Sequence, residues 1–309
     1  MTYASAMTPS QNHTVWTQWP ELKAPSGFRI LNPDNHPLES SDLSEITFYV
    51  PSYMGGRKVL EHTLKMPSLQ ILQVPNAGFD DALEFLNPGV TLCNARGVHD
   101  ASTAELAMAL ALSSRRGFYD FAVAQRAGYW EHKRYDSFND SSIGIIGAGS
   151  IAQTLARYLA PYDVKITFFS RSGKDGALKI SELDSQLPKL DILFLVLPLN
   201  NESKHLMNAE RLRKMKDGAV LVNVGRGAII ETEALISELN SGRIFAGLDV
   251  TDPEPLPEKH PLWSAKNLIL SPHVGGNSTA FDSRAKALIE EQLRRLHAGE
   301  ELLNIVAKG

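Results

Sequence analysis

Hydrophobic positions follow two patterns along the chain, and the change comes near residue 142. Up to about residue 100, short apolar runs at 46–50, 69–74 and 90–93 are separated by Pro and Gly, and they read as strands of a small domain. The segment 103–115 (TAELAMALALSSR) is rich in Ala and Leu, with Glu105 near its start, and predicts a helix. From Ser142 onward six apolar runs recur, at 143–147, 165–170, 192–198, 219–224, 244–250 and 268–273. Each is short and nearly continuous in Ile, Val, Leu and Phe, as strands buried on both faces of a parallel sheet are. The segments between them, such as 151–159, 209–215 and 231–239, carry Leu, Ala, Glu and Lys and predict helices. Six strands with crossover segments predict a doubly wound α/β domain. A last segment, 283–297, places Ala287, Leu288, Leu293 and Leu296 at helical spacing. It is expected to cross back to the N-terminal part, which makes that second, smaller α/β domain discontinuous. The expected division is 1–102 plus 282–309 for the smaller domain and 103–281 for the larger.

A length of 309 residues agrees with two domains. Hydrophobic residues at 43% and charged residues at 21% are those of a globular protein. The net charge of −4, with no dominant basic patch, argues against nucleic acid or an anionic membrane as the main partner. No apolar stretch approaches the ~20 residues of a membrane span. The first eighteen residues are polar and lack the basic and apolar regions of a signal peptide. A single cysteine, Cys93, excludes an intramolecular disulfide and a cysteine-based metal site, and no metal is expected. A lone thiol fits a reducing compartment, so a cytoplasmic location is expected.

Gly147-Ala148-Gly149-Ser150-Ile151-Ala152 follows the first strand of the larger domain and opens a helix. This is the G-x-G-x-x-G/A fingerprint of dinucleotide sites, with Ala at the third place. Gly147 allows the tight turn, Gly149 admits the pyrophosphate, and Ala152 lets helix and strand pack closely. The first turn of the helix, at Ser150 and Ile151, offers backbone N–H groups to phosphate. The next strand ends in Ser170-Arg171-Ser172, where an NAD site usually carries an acid for the ribose hydroxyl. Arg171 pairs instead with a 2′-phosphate, to which Ser170 and Ser172 can also donate, so NADP(H) is expected as the preferred cofactor and NAD(H) as a possible one. The competing interpretation is a solvated turn, with cofactor choice set elsewhere.

Ligands of open α/β sheets bind at the carboxyl ends of the strands. Three candidates stand there: Arg226 beyond the fourth strand, Glu254 four residues past Val250, and His273 at the end of the sixth. An arginine, a carboxylate and a histidine suit reduction of a keto acid. Taken singly, each also has an ordinary explanation. His273 is one of nine histidines, Arg226 occupies a Gly-rich turn, and Glu254 stands among prolines with Asp252 as a neighbouring alternative.

The motifs GIIGAGSIA (144–152), NVGRGAIIETEAL (223–235), GLDVTDPEPLP (247–257) and SPHVGG (271–276) resemble those of the D-isomer-specific 2-hydroxyacid dehydrogenase family, which includes glyoxylate and hydroxypyruvate reductases. They cover most of the larger domain. The N-terminal part matches more loosely, through Asn76-Ala77-Gly78-Phe79-Asp80 and the helix near residue 103. The resemblance implies a Rossmann-type cofactor domain and an enzyme acting on the CH–OH group of a D-2-hydroxy acid. It also implies that Arg226 grips the substrate carboxylate, that His273 is the general acid–base, and that Glu254 orients His273. The backbone at Ala77 and Gly78 is implied in carboxylate binding, and Asp249 near the nicotinamide. Leu197, Pro198, Val224, Arg226, His273 and Gly275 complete the expected cofactor contacts. A homodimer is expected through the aromatic-rich segment 117–139.

Some positions depart from the family pattern. Thr251 stands where an aromatic residue is common, and Phe138-Asn139-Asp140-Ser141-Ser142 replaces a Gly-Lys-Thr lead into the first cofactor strand. Tyr53, Met54 and the Gly55-Gly56 turn are candidates for a substrate loop. A nucleotide-sensing corepressor of the same fold is the alternative from another class; the Arg–Glu–His set favours an enzyme. Glu254, where formate enzymes of this fold carry Gln, speaks against formate. The keto acid is not named by the sequence.

Overall fold

The computed structural model describes residues 12–309, so residues 1–11 of the polar segment read against a signal peptide lie outside the described residues. The chain divides into two compact units, one running up to His99 and resuming at Thr279–Gly309, the other formed by Asp100–Ser278.

In the first unit, strands β1 (His13–Trp16), β2 (Phe28–Leu31), β3 (Phe48–Tyr49), β4 (Ile71–Gln73) and β5 (Thr91–Cys93) are parallel, in the order β5-β4-β3-β1-β2. A last strand, Ile305–Lys308, joins β5 antiparallel. Successive side chains of a strand point to opposite faces, and both faces are covered here. Val15, Phe48, Ile71 and Cys93 pack with Phe281, Ala285, Ile289 and Leu293 of the helix Phe281–Ala298. Trp16, Tyr49, Leu72 and Leu92 pack with Leu60, Met66 and Phe85 on the other side. Gln292 of that helix, fully buried, donates to Gln73 Oε1 at 2.7 Å and to the Leu303 carbonyl at 2.9 Å. This satisfies polar groups that would otherwise be costly in the core.

The apolar runs at 46–50, 69–74 and 90–93 contain β3, β4 and β5, whereas β1, β2 and the last strand have no counterpart in the hydrophobic pattern. In β1 (HTVW) two of four residues are polar, and His13 is buried with its Nδ1 3.2 Å from Thr47 Oγ1. In β2 (FRIL) Arg29 is exposed and interrupts the run.

The second unit holds a seven-stranded parallel sheet in the order β12-β11-β10-β9-β6-β7-β8. Its strands are β6 (Ser142–Ile146), β7 (Lys165–Ser170), β8 (Leu178–Lys179), β9 (Ile192–Leu195), β10 (Val220–Asn223), β11 (Phe245–Leu248) and β12 (Leu268–Leu270). The chain enters at β6, runs outward through β7 and β8, then returns to the other side of β6 with β9. That reversal makes a doubly wound, Rossmann-type sheet with a ligand-binding crevice at the carboxyl ends of β6 and β9. Alternate strand residues serve two cores. Ile143, Ile145, Ile192, Phe194, Val220 and Val222 pack with the helices Asp100–Arg115 and Ser150–Leu159. Ile146, Leu193, Leu195 and Leu221 pack on the opposite face with Leu212, Leu235 and Leu239.

Three expectations are corrected. The sheet has seven strands instead of six, because β8 contributes two residues, too few for any periodicity to register. The strands also stop earlier than their apolar runs. His273 does not end β12, which closes at Leu270, and Glu254 lies six residues beyond β11 instead of four beyond a strand end at Val250. Apolar character persists past the last ladder bond because these overhanging residues remain partly or wholly buried, Val250 at 2% exposure among them.

Candidate active site

The dinucleotide turn is built at the end of β6. Gly147 has φ +124°, and a Cβ there would collide with the Val196 carbonyl oxygen, so both conformation and close approach require glycine. Its N–H donates to the Phe169 carbonyl at 2.9 Å, which fixes the turn to β7. Gly149 is the N-cap of the helix Ser150–Leu159 and supplies no side-chain cap. A Cβ on Gly149 would meet no protein atom within 4 Å. The turn therefore leaves open space in front of uncapped helix N–H groups, which fits a pyrophosphate.

At the end of β7, the Ser170 hydroxyl accepts the Gly173 N–H at 3.1 Å. Arg171 is 82% exposed, and its Nη1 lies 3.6 Å from Glu202 Oε2. Ser172 and Pro198 are exposed, Leu197 is half-buried and Val224 is buried.

Arg226 sits on a turn organised by Asn223, whose side chain is fully buried at the end of β10. Asn223 Oδ1 accepts the Gly225 N–H at 3.0 Å, and its Nδ2 donates to the Arg226 carbonyl at 2.8 Å. Asn223 belongs to the NVGRG motif, which by itself assigns it no role. An Asn two residues before a Gly-rich turn is the signal that was available. Gly227 abuts the next loop so closely that a Cβ would strike the Thr251 carbonyl. The Arg226 turn and the loop bearing Glu254 are thereby packed backbone to backbone.

His273 follows β12 with φ +53°, an unfavourable region for a residue with a side chain. Asp249 holds it there. The His273 N–H donates to the Asp249 carbonyl at 2.8 Å. The Asp249 carboxylate, 3% exposed, accepts from the Ser271 hydroxyl at 2.7 Å, the Val274 N–H at 2.9 Å and the Gly275 N–H at 2.8 Å. Both Asp249 oxygens are thus bonded within the protein, and Gly275 lacks a Cβ that would crowd Oδ2.

His273 Nδ1 is hydrogen-bonded to Glu254 Oε1, both side chains being half-exposed. This bond, helped by the Glu254 charge, raises the proton affinity of His273 against the opposing effects of burial and of Arg226. Burial of Glu254 favours its neutral form, but His273, a backbone bond from Thr251 and the Arg226 charge outweigh it and hold the carboxyl below its ordinary range. The close packing of Gly227 on Thr251 sets the Arg226 turn beside the loop bearing Glu254, and the Arg226 charge acts on both partners of the pair. An ionised carboxylate only accepts, so Nδ1 carries a hydrogen and Nε2 is left for a reactant. Such a set can bind a carboxylate and move a proton.

Ala77 and Gly78 lie in the first unit, on the loop after β4. The Ala77 carbonyl accepts from Asn94 Nδ2 at 2.6 Å, and the Asn76 carbonyl from the Ala95 N–H at 2.8 Å, which pins the loop to the residues after β5. Among the described residues no group of acidic, His and Cys side chains could hold a metal ion. No described helix is long and apolar enough to cross a membrane.

Residues 108–275 match the family model for the NAD-binding domain of D-isomer specific 2-hydroxyacid dehydrogenases. A glyoxylate reductase from Thermofilum pendens is 33% identical over 249 residues, covering 76% of this chain and 74% of the relative. Glyoxylate/hydroxypyruvate reductase B of Yersinia pestis is 31% identical over 279 residues, 85% of each chain. The NADPH-dependent glyoxylate/hydroxypyruvate reductase of Sinorhizobium meliloti, solved with NADP and sulfate, superposes with a TM-score of 0.80 at 25% identity, over 96% of this chain and 98% of that one. On this sheet, these motifs and these relatives, the chain belongs to the D-isomer-specific 2-hydroxyacid dehydrogenase family and is a nicotinamide-dependent oxidoreductase acting on the CH–OH group of donors.

Proposed function

We propose that the protein is an NADP(H)-dependent reductase interconverting a small 2-keto acid and its D-2-hydroxy acid, of the glyoxylate and hydroxypyruvate class. The observation that carries this reading is the His273–Glu254 hydrogen bond within the field of Arg226. In reduction, Nε2 of protonated His273 donates to the oxygen developing on C2, and in oxidation it takes that proton back. Glu254 fixes the ring and stabilises its charged form. Arg226 pairs with the substrate carboxylate through its fork of donors and draws electron density from the C2 carbonyl. In the first unit, the backbone at Ala77 and Gly78 is assigned to carboxylate binding.

When bound, the reduced nicotinamide supplies the hydride, while the protein supplies position and charge. Gly147, Gly149 and the N–H groups of Ser150 and Ile151 hold the pyrophosphate. Leu197, Pro198, Val224 and Gly275 line the remainder, and Asp249 acts next to the nicotinamide through the loop it anchors. Arg171, with Ser170 and Ser172, takes the 2′-phosphate. This assignment draws support from the absence of an acid at 170–172 and from the NADP-bound Sinorhizobium meliloti structure.

The proposal extends to a cytoplasmic homodimer. Segment 117–139 carries exposed Phe118, Tyr119, Phe121, Val123, Tyr129 and Trp130, an apolar surface suited to a second copy. Cys93, the only cysteine, is buried, and burial pushes its thiol up to about 12, as suits a chain without disulfides.

The test is consumption of reduced cofactor against a panel of 2-keto acids, first with NADPH and then with NADH. Turnover of glyoxylate or hydroxypyruvate with higher efficiency for NADPH is expected. Equal efficiencies would remove the Arg171 assignment, and no turnover of any panel member would remove the proposed substrate class.

A further inference from the structure

The ion pair between Arg171 and Glu202 crosses the strand that carries the glycine turn. Arg171 follows β7, and Glu202 belongs to the turn after β9. These two strands flank β6 on opposite sides. Neighbouring strands are ~4.8 Å apart, so a link between residues beyond β7 and β9 spans about 10 Å over the end of β6, where Gly147–Gly149 turns. The two arms differ in freedom. Glu202 is presented by a locked turn: Asn200 Oδ1 accepts the N–H groups of Glu202 at 2.9 Å and Ser203 at 3.0 Å, and the buried Ser203 hydroxyl donates to the Pro198 carbonyl at 2.8 Å. Arg171 is a long, exposed side chain that reaches it.

We propose that Glu202 is a specificity-determining residue: it competes with the cofactor's 2′-phosphate for Arg171 and so narrows the preference for NADP(H) over NAD(H). This rests on the reading of Arg171 as the 2′-phosphate partner. A phosphate placed on Arg171 must displace the Glu202 carboxylate or lie beside it, and like charges oppose either arrangement. A dinucleotide with a plain ribose hydroxyl leaves the ion pair undisturbed. Because both groups are well exposed, the expected effect is modest, about 2- to 5-fold in affinity.

The test is calorimetric titration of the full chain with adenosine 2′,5′-bisphosphate and with adenosine 5′-monophosphate, which separates adenosine-end binding from turnover. Glu202→Gln is expected to tighten the bisphosphate by about 2- to 5-fold and to leave the monophosphate unchanged. The gain should shrink in high salt, since exposed charges are screened, and should vanish in the Arg171→Ala background. If Arg171→Ala weakens the bisphosphate but Glu202→Gln changes nothing, Glu202 has no such role and the NADP(H) reading stands. A gain that persists without Arg171 overturns competition for that side chain. If Arg171→Ala binds the bisphosphate as tightly as the original chain, the 2′-phosphate reading falls and this inference with it.

Discussion

Gly275 donates its backbone N–H to Asp249 Oδ2 at 2.8 Å, and through this bond and its companions at Val274 and Ser271 a buried carboxylate shapes the loop on which His273 stands. Replacing Asp249 by Ala strands two backbone donors. Each unsatisfied buried group costs about 1–3 kcal/mol. Asp249→Ala keeps the backbone bond to the His273 N–H but is expected to unfold at lower urea, with turnover reduced because the loop that carries His273 loses its side-chain anchors at Ser271, Val274 and Gly275. A variant equal to the original in both measurements would show that the loop holds itself.

The pH dependence of reduction follows from the direction of the His273 shift. Its folded pKa lies above the ordinary 6.5, so the proton needed for reduction remains past that pH and is lost as pH rises through the folded value. The same pairing stabilises the fold fully below the unfolded pKa and fades over that interval. Glu254→Gln removes the charge and the carboxylate acceptor, so the alkaline fall in kcat/KM for reduction should move to lower pH. A profile that does not move would assign the limb to another group.

Loss of the proton donor and loss of the carboxylate grip should separate kinetically. His273→Ala is expected to lower kcat by at least ~100-fold, the lower end of an acid–base contribution, with KM for the keto acid changed far less than kcat. Arg226→Ala should lower kcat and raise KM for the keto acid together, because the guanidinium serves both binding and polarisation. Near-normal turnover in either variant would refute the role given to that residue.

Self-association should depend on the aromatic segment. Trp130 is 92% exposed and Tyr119 59%. In sedimentation velocity the original chain is expected to sediment as a dimer, and Trp130→Asp combined with Tyr119→Asp as a monomer. A dimer that survives both changes would place the interface elsewhere.

The core strands of the second unit were legible because burial on both faces leaves almost no polar residue in β9, β10 or β11. Where a strand tolerates polar residues, as His13 and Thr14 in β1 or Arg29 in β2, the same criterion is blind. Strand ends fall short of the apolar runs for a related reason: burial continues past the last paired residue, so hydrophobicity outlasts the ladder at Val250. The positions of Arg226, Glu254 and His273 beyond strand ends could be inferred from local motifs. What Asn223, Asp249 and Glu202 hold could not, because each acts through a turn geometry or a partner brought near only by sheet order.

The first unit draws its core from two stretches of chain separated by the whole of the second. Val15, Phe48, Ile71 and Cys93 meet Phe281, Ile289 and Leu293. On a ribosome adding about 5–20 residues per second, roughly 10–40 s pass between completion of β5 and arrival of that helix. During this interval one face of the nascent N-terminal sheet has no lid. Its apolar side chains are available to chaperones or to other unfinished chains, so slowing translation within 100–278 should lower soluble yield without altering the finished protein.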